Sequence, residues 1–271
     1  MQIEKSENID RQAIQKLLMD RKTYNKVEHS TPYIFSIKNN RQNLFYFWAN
    51  HCFDPENKQT NQIEFLRKDF IYNPNPKKHV FTEANVKITY PTKKESIEKA
   101  WESWLLARLA TQNNISFSCA EPTKWEEIEY LEKFFSKQDL FYSYYWIRLG
   151  QWYRQHVEKS REIYCNNVID KLKNFPWREN EDLTIEKIKE IHEKLFHMSF
   201  DSSDKEHRQK LNNPTLDYSI TNDISRKSDD VREKSIVQNI INKRNEGYDV
   251  FVVYWCSHAV IEEKALREFC K

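Results

Sequence analysis

Residues 249–260 read DVFVVYWCSHAV. From Asp249 to Tyr254 this is the most strand-like hexapeptide in the chain. Its unbroken run of β-branched and aromatic residues lacks polar alternation, the pattern of a strand buried on both faces within a parallel sheet. Upstream, a helix is expected from about Asp230 to Asn245, carrying Val231, Ile236, Val237, Ile240 and Ile241, with Gly247 as its C-cap. Downstream, Ile261 to Phe269 has the pattern of a closing helix. A buried strand held between two helices is the building unit of an α/β fold.

Working outward, the same unit recurs. TPYIFSIKNNRQNLFYFWAN, residues 31–50, contains two β-rich runs around Lys38-Asn39-Asn40-Arg41, a hairpin whose second strand is nearly all apolar. Asp54-Pro55 then opens a helix with Ile63, Phe65, Leu66 and Phe70 on its apolar face. HVFTE, residues 79–83, is a short strand, and Thr92 with Glu95 forms a capping box for a helix from Thr92 to Ala110. NNISFSCAEP supplies a further strand, ending at Glu121-Pro122. The expected architecture is one α/β domain over residues 1–271, with a central, mainly parallel sheet and helices on both faces. Residues 1–30 read as an amphipathic N-terminal helix on Ile14, Leu17 and Leu18. Residues 123–230 read as a largely helical insertion with a polar loop at 199–230.

Composition narrows the class. The chain has 271 residues, 39% hydrophobic, 31% charged and 14% aromatic, outside the disordered and fibrous ranges. With 43 basic against 41 acidic residues its formal charge is +2, so no global field attracts nucleic acid or anionic lipid. The aromatic run FYSYYW, residues 141–146, therefore reads as a packed core helix in preference to a base-stacking platform. No apolar run approaches the roughly 18 residues that span a bilayer. Five scattered cysteines without a CxxC pair point to a reducing compartment. The expectation is a cytoplasmic protein without signal peptide or anchor, acting on a small molecule or peptide, with no nucleic-acid or membrane partner.

The functional argument rests on the strand ends, because ligands of open parallel sheets bind beyond the carboxyl ends of the strands. LFYFWAN runs into His51, HVFT into Glu83, ISFSCA into Glu121 and VFVVYWCS into His258. One histidine after a strand is usually a hydrogen-bonded loop residue. Two imidazoles and one or two carboxylates on one edge would suit zinc, manganese or cobalt with water in an open position. Cys256, two residues before His258, lacks an identifiable general base and reads as a small packed thiol. His192 and His197, five apart, read as surface residues.

These motifs resemble those of the TraB/TIKI/erythromycin-esterase/ChaN-like superfamily. FWANHCFDP with His51 and VVYWCSHAV with His258 are similar to its two G-x-x-H motifs, and VFTEA with Glu83 to its strand ending in Glu-Gly. AWESW around Glu102 resembles a G-E-S-G element, and Arg232 precedes the last helix and strand as a motif arginine does. The resemblance covers residues from about 30 to 271. It implies a site of His51, His258 and Glu83, and activities among peptide cleavage, macrolide ester hydrolysis and haem binding. On that basis the metal ligands are His51, His258 and Glu83, and Glu121 is an accessory residue. Glu83 is also the first candidate for general base. Arg232 would stabilise an anion, and Glu102 joins the catalytic set. The alternative is a non-catalytic binder of haem or another ligand, or an inactive homologue.

One departure is systematic. Trp48, Trp101, Trp104 and Trp255 stand where the pattern has glycine. The chain holds only 2 glycines against 8 tryptophans, where about 7% of an average chain, roughly 19 residues, would be glycine. Glycine codons of the form UGA, translated as tryptophan, would account for part of the glycine deficit together with the tryptophan excess; genuine tryptophans would occlude the pocket.

Overall fold

The computed structural model describes residues 11–39, 42–154, 161–175, 183–255 and 257–271. Cys256 lies outside them. The chain forms two compact units, Met1–Glu121 with Glu233–Lys271, and Pro122–Arg232.

The first unit is built on a five-stranded sheet of order β1-β2-β5-β3-β4. Its strands are β1 (Tyr33–Lys38), β2 (Asn43–Ala49), β3 (Lys78–Thr82), β4 (Ser116–Cys119) and β5 (Asp249–Trp255). β1 and β2 are the expected antiparallel hairpin, while β2, β5, β3 and β4 run parallel. The fold is therefore α/β with a mainly parallel sheet. Side-chain alternation sorts the core into two layers. Leu44, Tyr46, Val250, Val252 and Tyr254 pack with Ile236, Val237, Ile240 and Ile241 of α10 (Ile220–Asn245) and Ala265 and Leu266 of α11 (His258–Phe269). Phe45, Phe47, Phe251 and Val253 pack on the other face with Ile63 and Phe70 of α3 (Lys58–Tyr72) and Leu106 of α4 (Lys93–Gln112). All of β5 from Asp249 to Tyr254 is buried, and each large apolar side chain there contributes about 1.5–3 kcal/mol. Asp249 anchors the start of the strand by accepting from the backbone N–H of Asn43 at 2.7 Å and from Asn75 Nδ2 at 3.2 Å.

Several expectations needed correction. The N-terminal segment is not one helix: within the described part, α1 (Arg11–Leu17) and α2 (Arg21–Tyr24) are separated at Asp20, whose carboxylate caps α2 by accepting from Thr23 N–H. On α3, Phe65 is 65% exposed and does not share the buried face. α4 begins as expected, Thr92 accepting from the Glu95 N–H, but is kinked at Ala100 (φ −159°) and Trp101 (φ 59°, ψ −168°). Gly247, at φ 92°, takes the expected left-handed position after α10.

The second unit is helical, comprising α5 (Lys124–Leu131), α6 (Lys137–Arg154), α7 (Arg161–Leu172), α8 (Ile185–Phe196), α9 (Lys205–Leu211) and the first turns of α10. The 141–146 aromatic run is buried in its core. The polar loop expected at 199–230 is instead α9, capped by Asp204, followed by the start of α10 at Ile220. His192 is not a surface residue: it is buried, its Nδ1 is 2.8 Å from the Tyr142 hydroxyl, and burial with the neighbouring His207 lowers its pKa to about 4. His197 is exposed and ends α8 in the left-handed conformation.

Candidate functional site

All four parallel strands present their carboxyl ends at one edge of the first unit, and each is followed within three residues by one of the expected groups. His51 follows β2. It is positioned from the preceding residue, because Gln59 of α3 accepts from the Asn50 N–H at 2.9 Å and donates its amide to the Asn50 carbonyl. Glu83 follows β3, and its Oε2 accepts the Trp255 backbone N–H at 2.7 Å, tying the ends of β3 and β5 together. Glu121 follows β4. The adjacent Ala120 is fixed by its N–H to the Tyr254 hydroxyl (3.0 Å) and by its carbonyl to Ser235 (3.1 Å) and Asn239 (2.8 Å). His258 opens α11 directly after Ser257, which adopts φ 68°.

Among the described residues, three groups of possible ligands have their atoms within 4.8 Å of one another: His51, Glu83 and Glu102; Glu83, Glu121 and His258; and Glu233, His258 and Glu262. The groups form a chain. Glu83 belongs to the first two and His258 to the last two, and no group contains both histidines. The expected trio of His51, Glu83 and His258 is thus split, with one histidine on each side of Glu83.

Each histidine is held in the same way. His51 Nδ1 lies 2.6 Å from Glu102 Oε1, and His258 Nδ1 lies 2.9 Å from Glu233 Oε2; both carboxylates are 2% exposed. A carboxylate on one ring nitrogen fixes the tautomer and turns the other nitrogen toward whatever the ring serves. For His51 that other nitrogen, Nε2, lies 3.9 Å from Glu83 Oε2. Glu102 follows immediately on the kink in α4, and its second oxygen, Oε2, is buried without a hydrogen-bond partner.

Behind His258 the network continues inward. Arg21 bonds Glu233 Oε1 at 2.8 Å and also the Ser257 hydroxyl, and Tyr46 donates to Glu262 Oε2 at 2.8 Å. The two acids titrate apart. Burial opposes the charge of Glu233, but His258 and Arg21 overcome it and hold its carboxyl far below the usual range. Burial, reinforced by the charge of Glu233, pushes Glu262 well above that range. Burial therefore favours the neutral acid at Glu262, beside the anionic form of Glu233 that His258 and Arg21 favour.

Arg21, Glu233 and Glu262 were absent from the sequence reading. Glu233 had a signal: it precedes Ile236, Val237, Ile240 and Ile241 at helical spacing, a carboxylate on an apolar face. Glu262 lies four residues after His258, one turn along the same face. Arg232, by contrast, is the last residue of the second unit, and its ion pair is with Asp229 at 3.8 Å.

Two of the tryptophans crowd His51. Trp255 stacks on its ring (centroids 4.9 Å, planes 11° apart) and Trp101 lies 5.0 Å away. The His51 side chain nonetheless remains 28% exposed. Of Trp48, Trp101, Trp104 and Trp255, Trp101 alone has a positive φ.

No protein-family model, curated protein or solved structure matches this chain. No helix among the described residues is long and apolar enough to cross a membrane.

Proposed function

We propose that this chain is a metal-dependent hydrolase of ester or peptide bonds, related to the TraB/TIKI/erythromycin-esterase/ChaN-like superfamily and acting in the cytoplasm on a small molecule or peptide. One observation carries the reading. Two strand-end histidines, each with Nδ1 on a buried glutamate, flank a third carboxylate, Glu83. Carboxylate–histidine pairs of this kind are the usual outer support of metal ligands.

The residues present fit a divalent ion. Two ligand bonds of about 2.1 Å span at most about 4.2 Å, and His51 Nε2 and Glu83 Oε2 are 3.9 Å apart. The oxygen Glu102 Oε2, buried without a hydrogen-bond partner, is an acceptor whose desolvation calls for positive charge nearby. A bound zinc, manganese or cobalt ion would lower the pKa of a water molecule and polarise a carbonyl. The protein's part is to orient the imidazoles through Glu102 and Glu233. Glu83, the carboxylate shared by the two histidines' groups, is the first candidate to accept the proton of the attacking water.

The stacking of His51 against Trp255 and Trp101 favours one second reading, a non-catalytic binder that uses the same edge. Both are tested by assaying the purified protein on a panel of p-nitrophenyl esters and fluorogenic peptides, before and after chelation and with Zn²⁺, Mn²⁺ or Co²⁺ restored. Turnover that is lost on chelation and recovered with metal supports the hydrolase. Binding of Co²⁺ without any turnover supports the second reading, and neither binding nor turnover removes both.

A further inference from the structure

We infer that the site holds two divalent cations, one on each side of Glu83, and that Glu83 bridges them. The inference rests on the metal-dependent reading above and goes beyond it in number and arrangement. The first cation lies with His51 and Glu83, supported by Glu102; the second lies with His258, Glu83 and Glu121.

Spacing excludes a single shared ion. Ligand atoms on one cation are at most about 4.2–4.4 Å apart, given bonds of about 2.0–2.2 Å. No group of described residues gathered within 4.8 Å contains both His51 and His258, although each histidine lies within that distance of Glu83 and of one further carboxylate. A carboxylate common to two ligand sets is the arrangement of paired-cation sites, whose ions sit roughly 3.5–4 Å apart and clamp the attacking and leaving oxygens of one substrate. The third group, Glu233, His258 and Glu262, is unsuited to a cation. Arg21 already supplies positive charge to Glu233 at 2.8 Å, and the group is wholly buried. Its role is to hold His258, which leaves two cation positions at the edge of the sheet. Glu102, bonded to His51 Nδ1 and with its other oxygen buried without a hydrogen-bond partner, adds negative charge behind the first position.

The test is calorimetric titration of metal-depleted protein with Mn²⁺, followed by electron paramagnetic resonance of the loaded protein. The expected result is two ions per chain and a spin-coupled spectrum. Glu121→Gln should reduce the count to one and abolish the coupling while the His51 position still binds, and His51→Gln should reduce it to one from the other side. Both substitutions are at partly exposed positions, and circular dichroism checks that each variant is folded. One ion per chain in the parent protein, lost in Glu121→Gln and in His51→Gln alike, overturns the paired arrangement and leaves a mononuclear hydrolase. No bound ion overturns both this inference and the metal-dependent reading.

Discussion

Replacing Trp101 by glycine and, separately, by alanine separates backbone strain from side-chain packing at the kink beside His51. Trp101 sits at φ 59°, ψ −168° inside α4, in a region that only glycine populates freely, and holding another residue there costs about 1–3 kcal/mol. Its indole N–H is buried without an acceptor, which costs about 1–3 kcal/mol more. Against these stand ring contacts with His51 at 5.0 Å, Trp104 at 5.1 Å and Phe53 at 6.2 Å, each about 0.5–1.5 kcal/mol, and the unfolded-state entropy of glycine, about 0.5–1 kcal/mol. Relief of the strain and of the unpaired N–H offsets part of the lost packing, so Trp101→Gly should cost clearly less than the roughly 3–5 kcal/mol of truncating a packed tryptophan. Alanine loses the same contacts yet keeps the backbone strain. Glycine should therefore be more stable than alanine by about 1–2 kcal/mol, the reverse of the helix-interior order, in which alanine leads by about 0.5–1 kcal/mol. Urea unfolding at constant m reads the difference. If the alanine protein is as stable as the glycine protein, position 101 is not a glycine position and the strain argument fails.

Three further outcomes are expected. The coding triplets at Trp48, Trp101, Trp104 and Trp255 should be UGA, and UGG at all four would end the recoding explanation. Glu262→Gln should cost less than about 1 kcal/mol, since a neutral amide replaces a neutral acid, whereas Glu233→Gln strips the counter-charge from buried His258 and Arg21 and should cost about 3–5 kcal/mol; equal losses in urea unfolding would contradict the assigned charges. His79, buried between the Ser116 (2.8 Å) and Ser118 (2.9 Å) hydroxyls, has its pKa lowered by burial from 6.5 to about 4. Below pH 6.5 the unfolded chain binds the proton more readily, so this contribution is intact above pH 6.5 and is lost as pH falls toward 4, by up to about 3 kcal/mol. In His79→Asn the pH dependence of unfolding should flatten over that window, though not vanish, because buried His192 titrates in the same direction.

The parts that were legible in the sequence share a physical reason. β2 and β5 lie under helices on both faces, so they leave continuous apolar runs, and in a parallel sheet the residue after such a run is delivered to the ligand edge. His51, Glu83, Glu121 and His258 could therefore be placed together from position alone. The segment 199–230 was misread because α9 buries a single apolar residue, Leu211, together with His207 and Arg208; a helix that buries polar side chains leaves no hydrophobic period. The same blindness hid the inner network. Composition counts Arg21, Glu233 and Glu262 as solvated charge until the contacts show them paired. For the same reason His258→Ala is not expected to be fold-neutral: His258 is 3% exposed, and its removal would leave Glu233 with one partner fewer in the core.

The two halves of the site are built to different standards of rigidity. His258 is held from behind by Glu233, which Arg21 also bonds, while Tyr46 bonds the neighbouring Glu262, and such a network resists displacement because breaking the Glu233 contacts leaves a buried charge. His51 is held by Glu102, which follows directly on the positive-φ residue Trp101 in α4. Strain stored next to a residue that orients a ligand is preserved only when the surrounding structure over-determines it. Separately, Gln59 clamps both polar groups of the Asn50 backbone, the residue before His51. The His51 half is thus the adjustable one. A substitution at Trp101 acts on it through one peptide unit, while the His258 half is insulated by its own charges.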